Sequence, residues 1–259
     1  MKTSQLDQHE ITQLTTTYSG SVIVYDSITS TQTRAKELLQ AGLSTPFAVA
    51  ANAQTAGYGQ QGRHFFSPAN TGLYFSLVFP LSTGTFPQNI GLLTTGMTVV
   101  VGTALTDFYP QSNLAYKWVN DIYLDGKKVC GIITELKKVE DQFVGIIGVG
   151  INLATATFPT GLINKAQAMD PQRAINRNHL LAAILNAAAT FLPHYQSGTF
   201  LPEYRQRSLV LGKKITIHCG QQLISGKATA IDSYGQLVLE DQAGHLHSFA
   251  SGEVTKVEI

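Results

Sequence analysis

Charge and cysteine are both scarce in this sequence, and each shortage removes a class of function. Only 14% of the residues are charged, with 18 Lys and Arg against 17 Asp and Glu for a formal net charge of +1. Such a surface creates no long-range field to draw the chain onto a nucleic-acid backbone or an anionic bilayer, so any electrostatic function is local. The two cysteines, Cys130 and Cys219, lie far apart and outside any C-x-x-C pair, which suggests neither a disulfide framework nor a thiolate metal site. Cys130 stands in an apolar stretch and is expected in the core. Long hydrophobic runs are missing too. No uninterrupted apolar run reaches membrane-spanning length, and the start, Met1-Lys2-Thr3-Ser4-Gln5-Leu6-Asp7, has no apolar signal core. A cytoplasmic protein with no membrane partner is therefore expected. No G-x-S-x-G or H-E-x-x-H offers hydrolytic chemistry. His245 and His247 share one face of an expected strand, but no third ligand accompanies them.

What is present is a chain of 259 residues that is 44% hydrophobic, enough for one substantial core and a small second unit. The patterning mixes helix and strand. Strands are expected at 21–25 (SVIVY), 47–53 (FAVAANA), 73–79 (LYFSLVF), 114–118, 128–136 and 143–149, with a hairpin turn at Asp125-Gly126. Helices are expected at 31–40, capped by Ser30 or Thr31, at 89–108, whose glycines suggest close packing on a sheet, and at 179–195. After Leu209 the pattern changes to short alternating runs broken by Gly220, Gly226, Gly235 and Gly244. A β module of about 50 residues is marginal alone and is expected to dock on the larger unit. The expected architecture is α+β: a short N-terminal segment over 1–20, a mixed sheet flanked by helices over 21–208, and a small β domain over 209–259.

The stretch Gly57-Tyr58-Gly59-Gln60-Gln61-Gly62 spells the G-x-G-x-x-G of a dinucleotide-binding turn. Such a turn needs a strand before it and a helix after it to receive the pyrophosphate. The strand is expected, but Arg63-His64-Phe65-Phe66-Ser67-Pro68-Ala69-Asn70 is no helix, and no G-K-[ST] follows to make a P-loop. A glycine loop flanked by the cation Arg63 remains. It could let backbone N–H groups approach phosphate or carboxylate oxygens, or it could be a plain surface hairpin loop.

Four further strings decide how that loop is read. Ser30-Thr31-Gln32 precedes it, and Lys117-Trp118-Val119-Asn120-Asp121, Lys128-Val129-Cys130-Gly131-Ile132-Ile133-Thr134-Glu135 and Gly148-Val149-Gly150-Ile151-Asn152 follow in order. Together they resemble the biotin protein ligase family, whose patterns are S-T-N, G-R-G-R-x-G-R, K-W-P-N-D, K-x-x-G-I-L-x-E and G-x-G-I-N. The resemblance runs from about Ser21 to Leu211, and the trailing module resembles the family's C-terminal SH3-like β-barrel domain. It implies the biotin/lipoate ligase catalytic fold and ATP-dependent ligation of biotin, through biotinyl-5′-AMP, to a lysine of a biotin carboxyl carrier domain of a carboxylase. ATP and Mg2+ would be required, with biotin as substrate.

The resemblance also distributes roles. Ser30, Thr31, Gln32, Gln54, Gly57, Tyr58, Gly59, Gln60, Lys128 and Gly131 would meet biotin; Arg63, Lys117, Asn120, Asp121 and Asn152 would meet ATP. Lys128 and Arg63 would be catalytic, and Asp121 would hold Mg2+. Each position also has a plainer reading: Asn120-Asp121 as a turn, Lys127-Lys128 as a solvated flank, Ser30-Thr31 as a helix cap and Trp118 as packing.

The chain departs from the family at Gln32, at Val119 in place of proline, and at Tyr58 and Gln60, where the family loop carries arginines. The two missing cations leave open a sensor that binds biotin or its adenylate with weak or no ligation. A lipoate ligase or octanoyltransferase matches the motifs less well. The resemblance allows a homodimer. It also includes members with an N-terminal helix-turn-helix, for which too little chain precedes Ser21, so no DNA partner is expected.

Overall fold

The computed structural model describes residues 3–257 other than 174 and 221. The outermost residues of the expected terminal segments, 1–2 and 258–259, lie outside this set. In chain order the elements are α1 (Gln8–Leu14), β1 (Ser21–Ile28), α2 (Thr31–Gln40), β2 (Phe47–Gln54), β3 (Gly72–Thr83), α3 (Ile90–Phe108), β4 (Leu114–Lys117), β5 (Asp121–Leu124), β6 (Lys127–Val139), β7 (Gln142–Asn152), α4 (Arg177–Phe191), α5 (Leu201–Gln206), and then β8 (Lys214–Cys219), β9 (Gln222–Ile231), β10 (Leu237–Glu240), β11 (Leu246–Phe249) and β12 (Glu253–Val257). The peptide bonds Thr45–Pro46 and Trp118–Val119 are cis.

The first seven strands form one mixed sheet in the order β1-β2-β3-β7-β6-β5-β4. Only β1 and β2 run parallel; the remaining neighbours pair antiparallel. Period-two alternation sends successive side chains to opposite faces. Phe47 and Val49 of β2 pack with Ala35 and Leu39 of α2, while Ala48 and Ala50 join the larger core with α3 and α4. The expected α+β sheet between helices is therefore what the sequence builds. β5 and β6 meet at Asp125 (φ 48) and Gly126 (φ 79), a left-handed pair that matches the twist of an antiparallel hairpin.

Ile90–Phe108 is long and apolar enough to cross a membrane by length and composition, yet 72% of its apolar window is buried inside the fold. Its glycines serve close packing: a Cβ on Gly102 would stand 2.2 Å from the Tyr116 hydroxyl, and one on Gly96 would stand 2.1 Å from the Phe191 ring. Cys130 is fully buried, and burial pushes its thiol pKa up. The short helices α1 and α5, seven and six residues long, have no counterpart in the sequence reading.

The C-terminal strands pair antiparallel in the order β11-β10-β9-β8-β12. The SH3-like barrel expected from resemblance is here an open five-stranded sheet: among the described residues no pairing joins β11 to β12, which are short edges. Its apolar residues Ile215, Ile217, Ile231, Leu237 and Leu239 belong to the same core as α3 and α4. Arg205 adds hydrogen bonds across the junction to the carbonyls of Ile231 (2.7 Å) and Asp232 (3.0 Å).

Arg177 at the start of α4 is fully buried, and burial pushes its pKa down to about 10. It donates to Ser4 O (2.6 Å), Gly72 O (2.8 Å), Asn70 Oδ1 (3.1 Å) and Asn52 Oδ1, tying the N-terminal segment to β2 and β3. Removing a buried charged donor leaves its acceptors unpaired and costs about 3–5 kcal/mol. Arg177→Met should lower the unfolding free energy by that amount, read as a fall in the urea midpoint at an unchanged denaturant slope; a variant within about 0.5 kcal/mol of the parent would show that this network does not brace the fold.

Candidate functional site

The strand register gathers the sequence motifs. β6 and β7 pair with Gly131 opposite Gly150 and Ile133 opposite Gly148, so the two glycine-bearing strings form one strip of sheet with little side chain on it. A cavity of about 590 Å³ opens there, within the range of small-molecule and cofactor sites. Of the residues expected at the site, all but Gly57 line it. Gly57 is buried under the loop, where a Cβ would stand 2.6 Å from Gln54 Nε2 and 2.8 Å from Ser67 Oγ, so its small size serves packing.

One end of the cavity is neutral and internally bonded. Ser30 caps α2, its hydroxyl accepting from Thr33 N. The Gln54 amide accepts from Thr31 N (2.8 Å) and Thr31 Oγ1 (3.2 Å) and donates to Ser67 Oγ (2.9 Å). Gln32 is buried beneath them, with Ser76 Oγ donating to its Oε1 at 2.8 Å and its Nε2 donating to Ile146 O at 3.0 Å. Such a floor of fixed donors and acceptors can read a planar polar head group.

The other end is cationic. Lys128 Nζ pairs with Asp121 Oδ1 at 2.5 Å, folded over Gly131, where a Cβ would come within 2.8 Å of that nitrogen. The K-x-x-G spacing thus has a steric cause: the glycine makes room for the ammonium. Arg63, though more than half exposed, pairs with Glu253 of β12. Lys117 rests 5.7 Å from the centroid of the Tyr123 ring and has no carboxylate within 4.0 Å among the described residues. Burial first, then Lys128 and Arg63, lower its pKa against the opposing pull of Asp121 and Glu253. A half-desolvated ammonium with no anion of its own is suited to a phosphate or carboxylate.

One orphaned atom points the same way. Asn152 Oδ1 is buried without a hydrogen-bond partner, and Asp121 Oδ1 has no aligned donor although Lys128 sits beside it. Buried polar atoms normally find partners, so Asn152 Oδ1 is an open position for a ligand, whereas Asp121 Oδ1 already has the Lys128 ammonium as its ion-pair partner. Asp121, a single carboxylate in the cavity lining beside Lys117 and Lys128, fits Mg2+, which takes most of its oxygens from substrate and water. Asn120, by contrast, is tied to β6: its Nδ2 donates to Ile132 O and its backbone carbonyl accepts from Ile132 N (3.0 Å).

The glycine loop is more structured than its composition suggests. Gly59 N donates to Arg63 O and Phe65 N to Gly57 O, both at 2.8 Å, closing a small hairpin around a 3-10 turn at Gln60–Gly62. Those two N–H groups are not available to an anion. Tyr58, Gly59 and Gln60 still face the cavity, and Phe65 fills the space over Gly150, where a Cβ would stand 2.5 Å from its ring.

Several lining residues had no motif to reveal them. Phe158, Leu162, Asn164, Lys165 and Ala166 come from the connection after β7, which docks on Lys128 through Lys128 N to Lys165 O (2.9 Å) and Gln167 N to Lys128 O (3.0 Å). Its length without regular structure was the available signal, since long ordered loops are commonly functional. Glu253, Val254 and Thr255 reach in from the second sheet. Trp118 lines the wall and donates to Gly235 O at 3.0 Å, which makes it packing across the two sheets. His245 Nδ1 and His247 Nε2 lie 3.5 and 2.8 Å from Asp241 Oδ2, away from the cavity lining.

A mixed α+β sheet holding a neutral pocket beside a cationic one, with a small β sheet over its rim, defines a protein that binds a polar head group and an anion together. A family model described as the biotin/lipoate A/B protein ligase family matches residues 24–152, and one described as the biotin protein ligase C terminal domain matches 210–257. The bifunctional ligase/repressor BirA of Bacillus spizizenii is 31% identical over 94% of this chain and 77% of its own length. A biotin--[acetyl-CoA-carboxylase] ligase of Paracoccus denitrificans is 30% identical over 80% of this chain and 89% of its own. The Aquifex aeolicus biotin protein ligase, solved with biotin and ATP, superposes with a TM-score of 0.76 at 26% identity, over 92% of this chain and 98% of that one. The chain belongs to the biotin protein ligase family.

The depressed pKa of Lys117 gives a pH signature. An ammonium that binds an anion loses that ability as pH rises through its pKa, which for Lys117 lies below the ordinary lysine value. ATP affinity should therefore fall on the alkaline side earlier than for an exposed lysine, and Lys117→Arg, which stays charged, should hold it. Calorimetric titration across alkaline pH reads this; parallel profiles for parent and variant would remove Lys117 from the anion site.

Proposed function

We infer that the protein ligates biotin to a lysine of a biotin carboxyl carrier domain, using ATP and passing through biotinyl-5′-AMP. The observation that carries this reading is the convergence of the family's motifs on one cavity, with a bonded polar floor at one end and Lys117, Lys128 and Arg63 at the other.

The chemistry asks little covalent work of the protein. A biotin carboxylate oxygen attacks the α-phosphorus and pyrophosphate departs; the carrier lysine, as free amine, then attacks the mixed anhydride carbonyl, AMP departs and the amine loses a proton. The chain must position the reactants, offset phosphate charge and exclude water from an anhydride that hydrolyses. Ser30, Thr31, Gln32 and Gln54 hold the ureido ring, with Gly131 as the wall. Lys128 leaves Asp121 to meet the carboxylate and α-phosphate, freeing Asp121 for Mg2+, which shields the phosphates when bound. Lys117 and Arg63 address the phosphates, Asn120 keeps the β5–β6 corner in place beside them, and Asn152 Oδ1 accepts from the nucleotide. Tyr58, Gly59 and Gln60 cover the intermediate.

Loss of two arginines from the loop favours a second reading, a sensor that binds biotin or its adenylate without efficient transfer. The lipoate reading has no such observation behind it. The near-neutral charge argues against a DNA partner, and a cytoplasmic location and a homodimer are compatible with the proposal. Incubation with biotin, ATP, Mg2+ and a carrier domain, followed by intact-mass analysis, separates ligase from sensor: a carrier heavier by one biotinyl group supports ligation, and an unmodified carrier refutes it.

Lys128→Ala should nearly abolish adenylate formation, a loss of at least about 1.5–3 kcal/mol in transition-state stabilisation, while the circular dichroism spectrum is unchanged. A variant that forms adenylate at the parental rate would contradict the role given to Lys128. Gln60→Arg restores one cation to the loop and should slow release of preformed labelled adenylate, chased with unlabelled biotin and ATP, by about tenfold to a hundredfold. An unchanged release rate would mean that position 60 does not reach the phosphate.

A further inference from the structure

One side chain anchors the glycine loop. Tyr58 stands where the family loop carries arginine, and its hydroxyl is held from two sides: Lys36 Nζ donates to it at 2.8 Å, and it donates to Glu135 Oε1 at 3.0 Å. Lys36 closes the triangle on Glu135 Oε2 at 3.0 Å and lies 5.4 Å from the centroid of the Tyr58 ring. Burial works against both charges, yet the hydrogen bonds among Lys36, Tyr58, Glu135 and Gln32 leave the lysine pKa raised and the glutamate pKa lowered. The three side chains come from α2, the loop and β6, so they connect segments that are distant in sequence.

Neither Lys36 nor Glu135 lines the cavity, but each touches a residue that does. Glu135 Oε1 also accepts from Gln32 Nε2 at 3.2 Å; Ser76 Oγ lies 2.8 Å from Gln32 Oε1 and 2.9 Å from Thr31 Oγ1; and Thr31 leads on to Gln54. A continuous chain of polar contacts thus runs from the floor of the neutral pocket, through Glu135, to the hydroxyl that fixes the loop.

We propose that Lys36 and Glu135 are positioning residues that hold Tyr58, and with it the glycine loop, closed over the biotin end of the cavity. This rests on the reading of that cavity as the biotin and adenylate site. The loop is then ordered by its own protein before any ligand arrives, and ligand exchange requires the clasp to open. Tyr58 contributes retention through a neutral ring anchored from outside, where an arginine would contribute charge toward the ligand. Glu135, bonded to both Gln32 and Tyr58, ties the placement of the head-group floor to the placement of the lid.

The test uses the full chain and the variants Lys36→Met, Lys36→Arg, Tyr58→Phe and the double variant Lys36→Met/Tyr58→Phe. Tryptic cleavage after Arg63 in the ligand-free protein reads loop opening without any requirement for activity. Loss of one charge-assisted contact predicts cleavage about tenfold faster in Lys36→Met, with recovery in Lys36→Arg. Release of preformed biotinyl-adenylate should quicken by about the same factor, and KM for biotin should rise while kcat for adenylate formation holds. The double variant should release no faster than its quicker parent, because both changes break one clasp. Unchanged cleavage and release in Lys36→Met, with biotin binding intact, overturns the proposal. Faster cleavage in a protein that binds no biotin in any form supports the clasp and instead refutes the reading of the cavity.

Discussion

The pairing of β6 with β7 is the constraint on which the site depends. With Gly131 opposite Gly150 and Cys130 opposite Ile151, this glycine pair leaves a bare strip in the sheet, and the space is taken by the Lys128 ammonium on one side and the Phe65 ring on the other. Because side chains alternate across a sheet, a slip of one residue would turn Lys128 and Asn152 to the opposite face and carry Cys130 and Ile151 toward the cavity. The register is pinned by burial: Cys130, Ile132, Ile147, Val149 and Ile151 are all in the core beneath. Core packing thus fixes where the chemistry-bearing side chains stand.

Electrostatics are arranged around that strip in pairs that can be exchanged. In the protein alone Lys128 is matched by Asp121 and Arg63 by Glu253, which keeps a cluster of cations tolerable in a chain with so little net charge. Among the described residues Lys117 has no such partner within 4.0 Å, and burial, with Lys128 and Arg63 adding to it, lowers its pKa. Phosphate oxygens would replace the carboxylates as partners, and the released carboxylate beside them would suit a divalent cation. The Glu253 contact also brings the second sheet to the cavity rim, so the C-terminal strands contribute to the site as well as to the core.

Much of this could be read from the sequence because the motifs are local. Lys128 and Gly131 lie within a single strand, Asn120 and Asp121 at one strand end, and Ser30 at one helix start; each spacing has a meaning that needs no tertiary knowledge. The unbroken apolar run Phe47, Ala48, Val49 and Ala50 likewise announces a strand buried on both faces. What the sequence withheld is long-range. Lys36, Tyr58 and Glu135 meet only after the sheet forms, Glu253 reaches Arg63 across the whole chain, and the 155–170 connection carries no periodic pattern at all. Gly57 has a packing reason of its own to be glycine, since a Cβ there would meet Gln54 and Ser67. The helices α1 and α5 are too short for a periodic signal, and the β module shows alternation without showing whether its edges close.

The central claim is that this cavity activates biotin with ATP, and isotope exchange between pyrophosphate and ATP tests it most directly. The protein with Mg2+ should exchange label when biotin is supplied and should stay silent with lipoate or with no acid. Exchange supported by lipoate, or tight biotin binding with no exchange, would contradict the account.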